Sequence, residues 1–186
     1  MKRLFDFLLA LMFTLFIFIP SLIIALLIKI TSKGPILFWS KRIGENNKIF
    51  FMPKFRTMKE DTPDLATHLL KDPERFLTSI GPFLRRSSLD EIPQLYSVLL
   101  GEMSLVGPRP ALFNQDDLIS LRSKRGIHKI KPGITGWAQI NGRDEITIPE
   151  KVSLEEEYLD KMSWKMDMYI LWLTFVKVLK KESVTH

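Results

Sequence analysis

The uncharged stretch FLLALMFTLFIFIPSLIIALLI, Phe7–Ile28, decides how the rest of the chain can be arranged. It holds about 22 residues and would extend roughly 33 Å as a helix, enough to reach across the hydrocarbon core of a bilayer. A signal peptide explains it less well, because the run is long and the following KITSKG has no A-x-A-like cleavage site. We therefore expect this segment to associate with a membrane.

Two features leave the path of this segment open. Pro20 lies inside the apolar run, where it removes one backbone hydrogen bond and bends the helix. Basic residues flank the run on both sides: Lys2, Arg3, Lys29 and Lys33. Because positive residues favour the cytoplasmic side, a broken helix that enters one leaflet and returns is as good an explanation as a kinked transmembrane anchor. Asp6 is expected to be neutralised locally by Lys2 and Arg3.

Composition narrows the classes of function. The 186 residues suffice for one domain with a hydrophobic core and hardly for two. A formal net charge of +6 favours an anionic partner, such as lipid headgroups, nucleotides or nucleic acid. The chain has no cysteine, which excludes thiolate chemistry, and His68, His128 and His186 show no metal-ligand spacing. A bound metal would need carboxylate oxygens, which favours magnesium or manganese.

The residues after the apolar segment predict a β-hairpin with a basic surface. Strand-like runs at Ile36–Ser40 and Lys48–Met52 flank a Gly-Glu-Asn-Asn turn. The basic residues of this zone are Lys41, Arg42, Lys48, Lys54 and Arg56. They suit either a solvated strand edge protected by lysines or a surface that faces phosphates.

Two further segments have simpler patterns. Lys59–Glu74 is polar and interrupted by proline, which predicts a loop with a short helix. Ser163–Lys181 carries an apolar stripe, two tryptophans and a terminal cluster of lysines. This pattern suits a helix at the membrane interface and, equally well, a core helix with a basic tail.

Asp90 and Glu91 are adjacent carboxylates at a predicted helix start. Ser88–Glu91 fits the capping-box pattern, whereas Pro93 favours a helix that begins close to the proline. In both registers the helix N-terminus keeps the acids ionised, and adjacent positions point them in different directions. They therefore suit separate tasks, one attacking or orienting and the other holding a cation. An Arg86–Asp90 ion pair would explain the pattern without any function.

Two later motifs add phosphate chemistry. Arg109 lies in the proline-stiffened turn GPRP, which offers a rigid guanidinium for bidentate phosphate contact. The block KPGITGWAQINGR, Lys131–Arg143, contains three glycines that allow tight turns and close backbone approach. Its Gln139, Asn141 and Arg143 supply polar contacts of the kind that a nucleotide needs. With the carboxylate pair, these motifs indicate magnesium-assisted phosphoryl transfer beside a membrane.

Four of these motifs resemble those of the bacterial polyprenyl-phosphate phosphoglycosyl transferases, which start glycan assembly on a lipid carrier. They are KFRTM at Lys54–Met58, SLDEIPQL at Ser88–Leu95, GEMSLVGPRP at Gly101–Pro110 and KPGITGWAQINGR at Lys131–Arg143. Their order and spacing match the small form of the family, without an additional N-terminal membrane domain. The resemblance implies a monotopic protein with a re-entrant helix in residues 1–33, kinked at Pro20. We predict a helix-dominated α+β fold in which residues 34–186 form a compact cytoplasmic catalytic domain, with the basic hairpin and interfacial amphipathic helices.

The resemblance also implies a reaction. A sugar 1-phosphate would move from a UDP-sugar to undecaprenyl phosphate, with release of UMP, through a covalent phosphosugar–aspartate intermediate. Asp90 would be the nucleophile, and Glu91 would help to hold Mg²⁺, the expected cofactor. The positions expected to bind substrate are Lys54, Arg85, Arg109, Gln139, Asn141 and Arg143.

Two positions depart from the family pattern. Arg86 stands where relatives more often carry a small or polar residue. At the helix break relatives often have Ser-Pro, whereas this chain has Ile19-Pro20-Ser21. Ser21 is therefore the candidate to satisfy the carbonyls freed at the break.

The implied partners are a UDP-sugar, undecaprenyl phosphate and membrane phospholipid, with no nucleic acid and with a homodimer left open. The implied location is the bacterial inner membrane, with the catalytic domain on the cytoplasmic face. The alternative is a non-catalytic, membrane-bound basic module for anionic lipid or nucleic acid, which explains neither the carboxylate pair nor the glycine-rich block. A CDP-alcohol-type phosphotransferase is disfavoured because its extended aspartate motif is absent. These motifs do not identify the sugar.

Overall fold

The computed structural model describes residues 2–60, 62, 72–142 and 146–179. Most of the loop predicted for Lys59–Glu74 lies outside these residues, as do Arg143 and the lysines at positions 180 and 181. The described part of the chain is helix-dominated and carries two small sheets, which confirms the α+β prediction.

The apolar N-terminal segment forms two helices, α1 (Lys2–Phe16) and α2 (Phe18–Thr31). They meet at Ile17 and are bent by 60°. Pro20 is the third residue of α2, so the predicted bend lies one turn before the proline, where its missing N–H weakens the helical ladder. In the described ranges no single helix is both long and apolar enough to cross a bilayer, and α1 and α2 pass that test only as a bent pair.

The helix break leaves backbone carbonyls that need donors. Because Pro20 has no N–H, the carbonyl of Phe16 loses its helical donor. The hydroxyl of Ser21 donates to the next carbonyl, that of Ile17, at 2.7 Å. The backbone N–H of Ser21 donates to the same oxygen at 2.9 Å. Ser21 therefore reinforces the first turn of α2, although not at the carbonyl that Pro20 frees.

Both helices turn large apolar side chains outward. The exposed fraction is 70% at Leu15, 83% at Phe16, 69% at Ile19 and 72% at Ile30. Contiguous apolar surface of this kind is rare on soluble monomers and marks an interaction surface.

The first turn of α1 is tied to distant parts of the chain. Lys2 Nζ donates to Asp167 Oδ2 at 2.6 Å, and Arg3 donates to backbone carbonyls at the end of a neighbouring helix. Asp6 is buried and accepts from Ser104 Oγ at 2.8 Å. The expected local neutralisation of Asp6 by Lys2 and Arg3 is thus replaced by a long-range network, because burial requires each of these groups to have a fixed partner.

The predicted hairpin is present and longer than expected. β1 (Leu37–Ile43) and β2 (Ile49–Phe55) are antiparallel, with Ser40 opposite Met52. The connecting turn, Glu45–Asn47, places both asparagines at positive φ, which asparagine tolerates better than most residues.

The remaining strands and helices build two sheets and their cover. The strands are β3 Ser104–Val106, β4 Ala111–Leu112 and β5 Gly133–Thr135. The α-helices are α3 Gly81–Arg86, α4 Leu95–Leu100, α5 Asp116–Lys124, α6 Trp137–Asn141, α7 Ile148–Lys161 and α8 Trp164–Leu179. Short 3-10 turns lie at Pro73–Phe76, Leu89–Gln94 and Ile127–Lys129. β4 extends the hairpin on the β1 side, and β3 pairs in parallel with β5.

The main core gathers residues from α1, β2, α4, β3, α6, α7 and α8. Its buried members are Ala10, Phe50, Met52, Val98, Met103, Leu105, Val106, Ile140, Tyr158 and Ile170. On α8, Ile170 is fully buried, whereas Trp172 is 61% and Phe175 is 55% exposed. The core explanation of the Ser163–Lys181 segment is therefore confirmed for one face of α8. The other face presents apolar side chains outward, and its contact with a membrane stays a prediction.

Candidate active site

The two adjacent carboxylates lie in a 3-10 turn, Leu89–Gln94, which we call the acidic turn. Ser88 precedes it in the left-handed region (φ 55°), and its side chain makes no capping hydrogen bond. Of the two registers that the sequence left open, the capping box is therefore wrong, and the α-helix begins at Leu95, close to Pro93 as the second register predicts. Pro93 explains the difference, because its ring does not fit inside an α-helix; the chain forms a short 3-10 turn and begins α4 at Leu95.

The acidic turn rests on the N-terminal helix pair. Leu89 and Ile92 pack against a buried cluster that includes Ile24 and Ile28 of α2. Phe55, at the end of β2, belongs to the same cluster. The carboxylates are thus held directly beside the end of the apolar segment.

Glu91 joins two basic side chains from different segments. Its Oε1 accepts from Lys54 Nζ and from Arg109 Nη2, each at 2.8 Å. Burial would raise the pKa of Glu91, but the charges and hydrogen bonds of Arg109 and Lys54 outweigh it and lower that pKa. Glu91 is therefore ionised at neutral pH.

Asp90 is buried and faces a different cation. It lies in the field of Arg85, whose Nε donates to Thr57 Oγ1 at 3.0 Å. Burial lowers the pKa of Arg85, and the Asp90 carboxylate partly opposes this effect. Asp90 therefore interacts with Arg85 and Glu91 with Arg109, while the charge of Lys54 interacts with both acids. The alternative of an Arg86–Asp90 ion pair pointed to the residue next to Arg85.

Arg42 is a site residue that sequence reasoning placed only in the basic hairpin zone. Its Nη1 donates to the carbonyl of Pro110 at 3.1 Å, and its Nε donates to Ser40 Oγ at 2.9 Å. Burial and the charge of Arg109 lower the pKa of Arg42 to about 10, against the attraction of Glu91. The two-residue alternation of the hairpin contains a signal for this position, because it places Arg42 on the same face as Ser40 and Lys54.

The resulting cluster has an excess of positive charge. Two carboxylates, Asp90 and Glu91, share their surroundings with four cations: Arg42, Lys54, Arg85 and Arg109. Burial lowers the pKa of Lys54, with Glu91 opposing the shift. Such a cluster can keep one carboxylate ionised and still attract a further anion, for which phosphate groups are the best match.

The glycine-rich block holds the Arg109 turn in place. The N–H of Gly133 donates to the carbonyl of Pro108, and the N–H of Gly107 donates to that of Thr135, both at 2.9 Å. A Cβ on Gly133 would lie 2.1 Å from the nitrogen of Gly107, and one on Gly136 would lie 2.1 Å from its oxygen. The predicted close backbone approach is therefore found between two segments of the protein itself.

The polar residues of this block are engaged locally. Gln139 Nε2 donates to the carbonyl of Ile134 at 3.0 Å, and Asn141 Nδ2 donates to that of Trp137 at 2.8 Å. In the part of the chain that the structure describes, neither side chain is hydrogen-bonded to the acidic turn. Arg143 lies outside the described residues, so the substrate-binding role of these three positions stays a prediction.

The carboxylates suit a magnesium ion that takes most of its ligands from a substrate. Within the described ranges, no group of three or more histidine, aspartate or glutamate side chains could hold a metal by itself. Mg²⁺ commonly binds through one or two carboxylates together with substrate phosphates and water. Glu91, the expected metal ligand, fits that donor set, and the surrounding cations fit the phosphates.

Comparison with known proteins identifies related chains. The family model described as bacterial sugar transferase matches residues 1–181. An uncharacterized sugar transferase from Bacillus subtilis is 41% identical over 99% of this chain and 90% of its own length. The undecaprenyl-phosphate glucose phosphotransferase of Komagataeibacter xylinus is 41% identical over 93% of this chain, which corresponds to 35% of that relative. The UDP-glucose:undecaprenyl-phosphate glucose-1-phosphate transferase of Escherichia coli is 40% identical over 95% of this chain and 40% of its own length.

Replacing Arg42 tests its part in holding this cluster. In Arg42→Ala the carbonyl of Pro110 and the hydroxyl of Ser40 lose their donor, so we expect the free energy of unfolding to fall by about 1–3 kcal/mol. Urea unfolding in detergent micelles measures the change. Lys48→Ala, at an exposed position of the same hairpin, is the matched control and should change stability by less than about 0.5 kcal/mol. Equal effects of the two substitutions would contradict the assignment.

Proposed function

The chain belongs to the bacterial sugar transferase family, and on that premise we propose that it transfers a sugar 1-phosphate from a UDP-sugar to undecaprenyl phosphate, releasing UMP. Such a transfer is the first membrane step in assembly of a bacterial polysaccharide or glycoprotein glycan. The observation that carries the proposal is the acidic turn, in which buried Asp90 and half-buried Glu91 are surrounded by four cations and whose apolar residues pack on the helix pair. The names of two relatives make UDP-glucose the first donor to test.

In the proposed first step, Asp90 acts as the nucleophile. A carboxylate oxygen of Asp90 forms a bond to the phosphorus that carries the sugar, and the bond from that phosphorus to the bridging oxygen breaks. UMP leaves with the electron pair, and the phosphosugar remains covalently attached to the carboxylate. The charges of Arg85 and Asp90 attract each other in this site, and a carboxylate attacks in its ionised form.

The second step reverses the role of Asp90. An oxygen of undecaprenyl phosphate forms a bond to the same phosphorus, and the bond between phosphorus and Asp90 breaks. The product is an undecaprenyl diphosphate sugar, and the carboxylate of Asp90 is regenerated. Dividing the transfer in this way lets one site handle a water-soluble donor and a lipid acceptor in turn.

The cations around Glu91 are placed to receive the diphosphate. Lys54 and Arg109 lie 2.8 Å from one oxygen of Glu91, so each is held in position before any substrate arrives. Guanidinium and ammonium groups held in this way stabilise charge that develops on leaving-group oxygens. Glu91 would also hold Mg²⁺, which when bound neutralises diphosphate oxygens.

The N-terminal helix pair would bring this site to the acceptor lipid. The 60° bend, the outward apolar side chains and the basic residues at both ends all favour a re-entrant anchor in residues 1–33. The catalytic domain, residues 34–186, would then lie on the cytoplasmic face of the inner membrane. The outward face of α8, with Trp172 and Phe175, would add an interfacial contact.

Asp90→Asn tests the nucleophile. Wild type should release a stoichiometric burst of UMP from UDP-glucose before undecaprenyl phosphate is added, whereas we expect the variant to lose turnover roughly a thousandfold or more. Asp117→Asn, an exposed position on α5, is the control. Turnover retained in Asp90→Asn would rule out this nucleophile. Failure of wild type to turn over any UDP-sugar would instead favour the non-catalytic basic module.

Glu91→Gln tests the metal role. Losing the charge should reduce UMP release by about 10- to 100-fold and raise the magnesium concentration needed for half-maximal rate. A magnesium titration of the rate, with Glu74→Gln as the exposed control, measures both effects. An unchanged magnesium requirement would argue that Glu91 serves only to position Lys54 and Arg109.

The re-entrant path predicts that both ends of the helix pair lie on one side of the membrane. The chain has no cysteine, so a cysteine placed before Met1 or at Lys33→Cys can be labelled without background. In intact cells an impermeant maleimide should label neither position, and it should label both after lysis. Labelling of only one position in intact cells would indicate a spanning helix instead.

A further inference from the structure

A second cavity lies at the start of α1, lined by residues that have no place in the proposed reaction. Its volume is about 220 Å³. Its charged lining residues are Lys2, Arg3, Asp6, Glu45, Lys129 and Lys131. We call it the α1 pocket. Neither carboxylate of the acidic turn lines it, and none of the four cations around them does.

The polar side chains at the base of the α1 pocket already have hydrogen-bond partners within the protein. Asp6 accepts from Ser104 Oγ at 2.8 Å and from the N–H of Leu105 at 3.4 Å. Lys2 is paired with Asp167, whose other oxygen accepts from Tyr158 at 2.7 Å. Burial and the hydrogen bond to Asp167 raise the pKa of Tyr158, so it stays a neutral donor. These groups form a fixed polar base and have little capacity left for a ligand.

The charged side chains that remain available to a ligand lie at the rim of the α1 pocket. Lys129 and Lys131 line the cavity, and their ammonium groups make no hydrogen bond or ion pair with any residue that the structure describes. They flank Ile130, so the two ammonium groups come from one short segment at the end of the 3-10 turn Ile127–Lys129. Because Asp167 neutralises Lys2, three further cations, Arg3, Lys129 and Lys131, remain against Asp6 and Glu45, and this positive excess favours an anionic ligand.

The position of the α1 pocket indicates where that anion comes from. Outward apolar side chains begin directly after Arg3, with Leu4 64% and Leu8 54% exposed. Trp164, 54% exposed, contacts Phe5 edge to face with ring centroids 4.2 Å apart. Tryptophan is enriched at the level of lipid headgroups, next to apolar surface that faces the acyl chains. If α1 enters the bilayer as proposed, the pocket opens at headgroup level.

We propose that the α1 pocket binds the headgroup of an anionic phospholipid, with Lys129 and Lys131 contacting its phosphate. Basic pockets beside membrane helices on the cytoplasmic side are the usual sites of such recognition. The inference rests on the proposed membrane placement, but not on the identity of the sugar or on the nucleophile. A phospholipid bound in the α1 pocket would hold residues 129–131 at the same lipid surface that α1 enters.

The test is a titration of the purified full chain, in a neutral detergent, with short-chain phosphatidylglycerol. The thermal unfolding midpoint should rise with the lipid in wild type, and the half-saturating concentration should increase about tenfold or more in Lys129→Gln/Lys131→Gln. The control Lys124→Gln/Lys151→Gln removes the same charge at positions outside the pocket lining and should respond like wild type. UMP release is measured on each sample, so failure of the reaction and failure of lipid binding are seen separately.

Three results would overturn the proposal. The first is an unchanged response in the Lys129/Lys131 variant, and the second is an equal response of wild type to zwitterionic short-chain phosphatidylcholine. The third is an equal midpoint shift with inorganic phosphate at the same concentration, which would assign the pocket to free phosphate rather than to lipid. Loss of the lipid response in the variant, with UMP release retained, supports the proposal.

Discussion

A single carboxylate oxygen, Oε1 of Glu91, holds together three segments that are far apart in the chain. It accepts from Lys54 at the end of the hairpin and from Arg109 in the GPRP turn, and it belongs to the acidic turn itself. Removing Lys54 or Arg109 would leave the Glu91 carboxylate with less compensation for its charge in a poorly solvated place. Each of the three groups therefore constrains the positions of the other two. The position of the hairpin, the turn and the GPRP segment relative to one another follows from this shared oxygen. So does the surplus of positive charge beside Asp90.

This constraint works only because the backbone behind it is closely packed. Gly107, Gly133 and Gly136 let the GPRP segment approach the glycine-rich block at distances that exclude a Cβ. Arg42 then joins the far side of that segment to β1 through the carbonyl of Pro110. Arg109 is therefore supported from two directions, which limits the rotamers it can adopt. A rigid basic group suits a ligand whose charge is fixed in space, as that of a diphosphate is.

Local patterns in the sequence predicted the elements better than their junctions. The hairpin, the proline bend and the proximity of the acidic pair to basic residues all follow from spacing or residue type within short windows. The capping box was wrong because Pro93 acts against it from only two residues beyond Glu91. Arg42 was not selected as a site residue, since its partners Arg109 and Pro110 are about 70 positions away and no local pattern links them. The two-sided burial of α8 could not be resolved either, because an apolar stripe does not reveal whether a core or a lipid surface faces it.

The bond between Lys2 and Asp167 has a consequence for how the protein is made. These residues are separated by 165 positions, and Asp6 meets Ser104 across 98. Lys2 and Asp6 precede both of these partners in the chain, so each stays unpaired until its partner has been synthesised. Docking of α1 onto the rest of the fold is therefore a long-range event, whose rate is limited by loop closure over 98 to 165 positions.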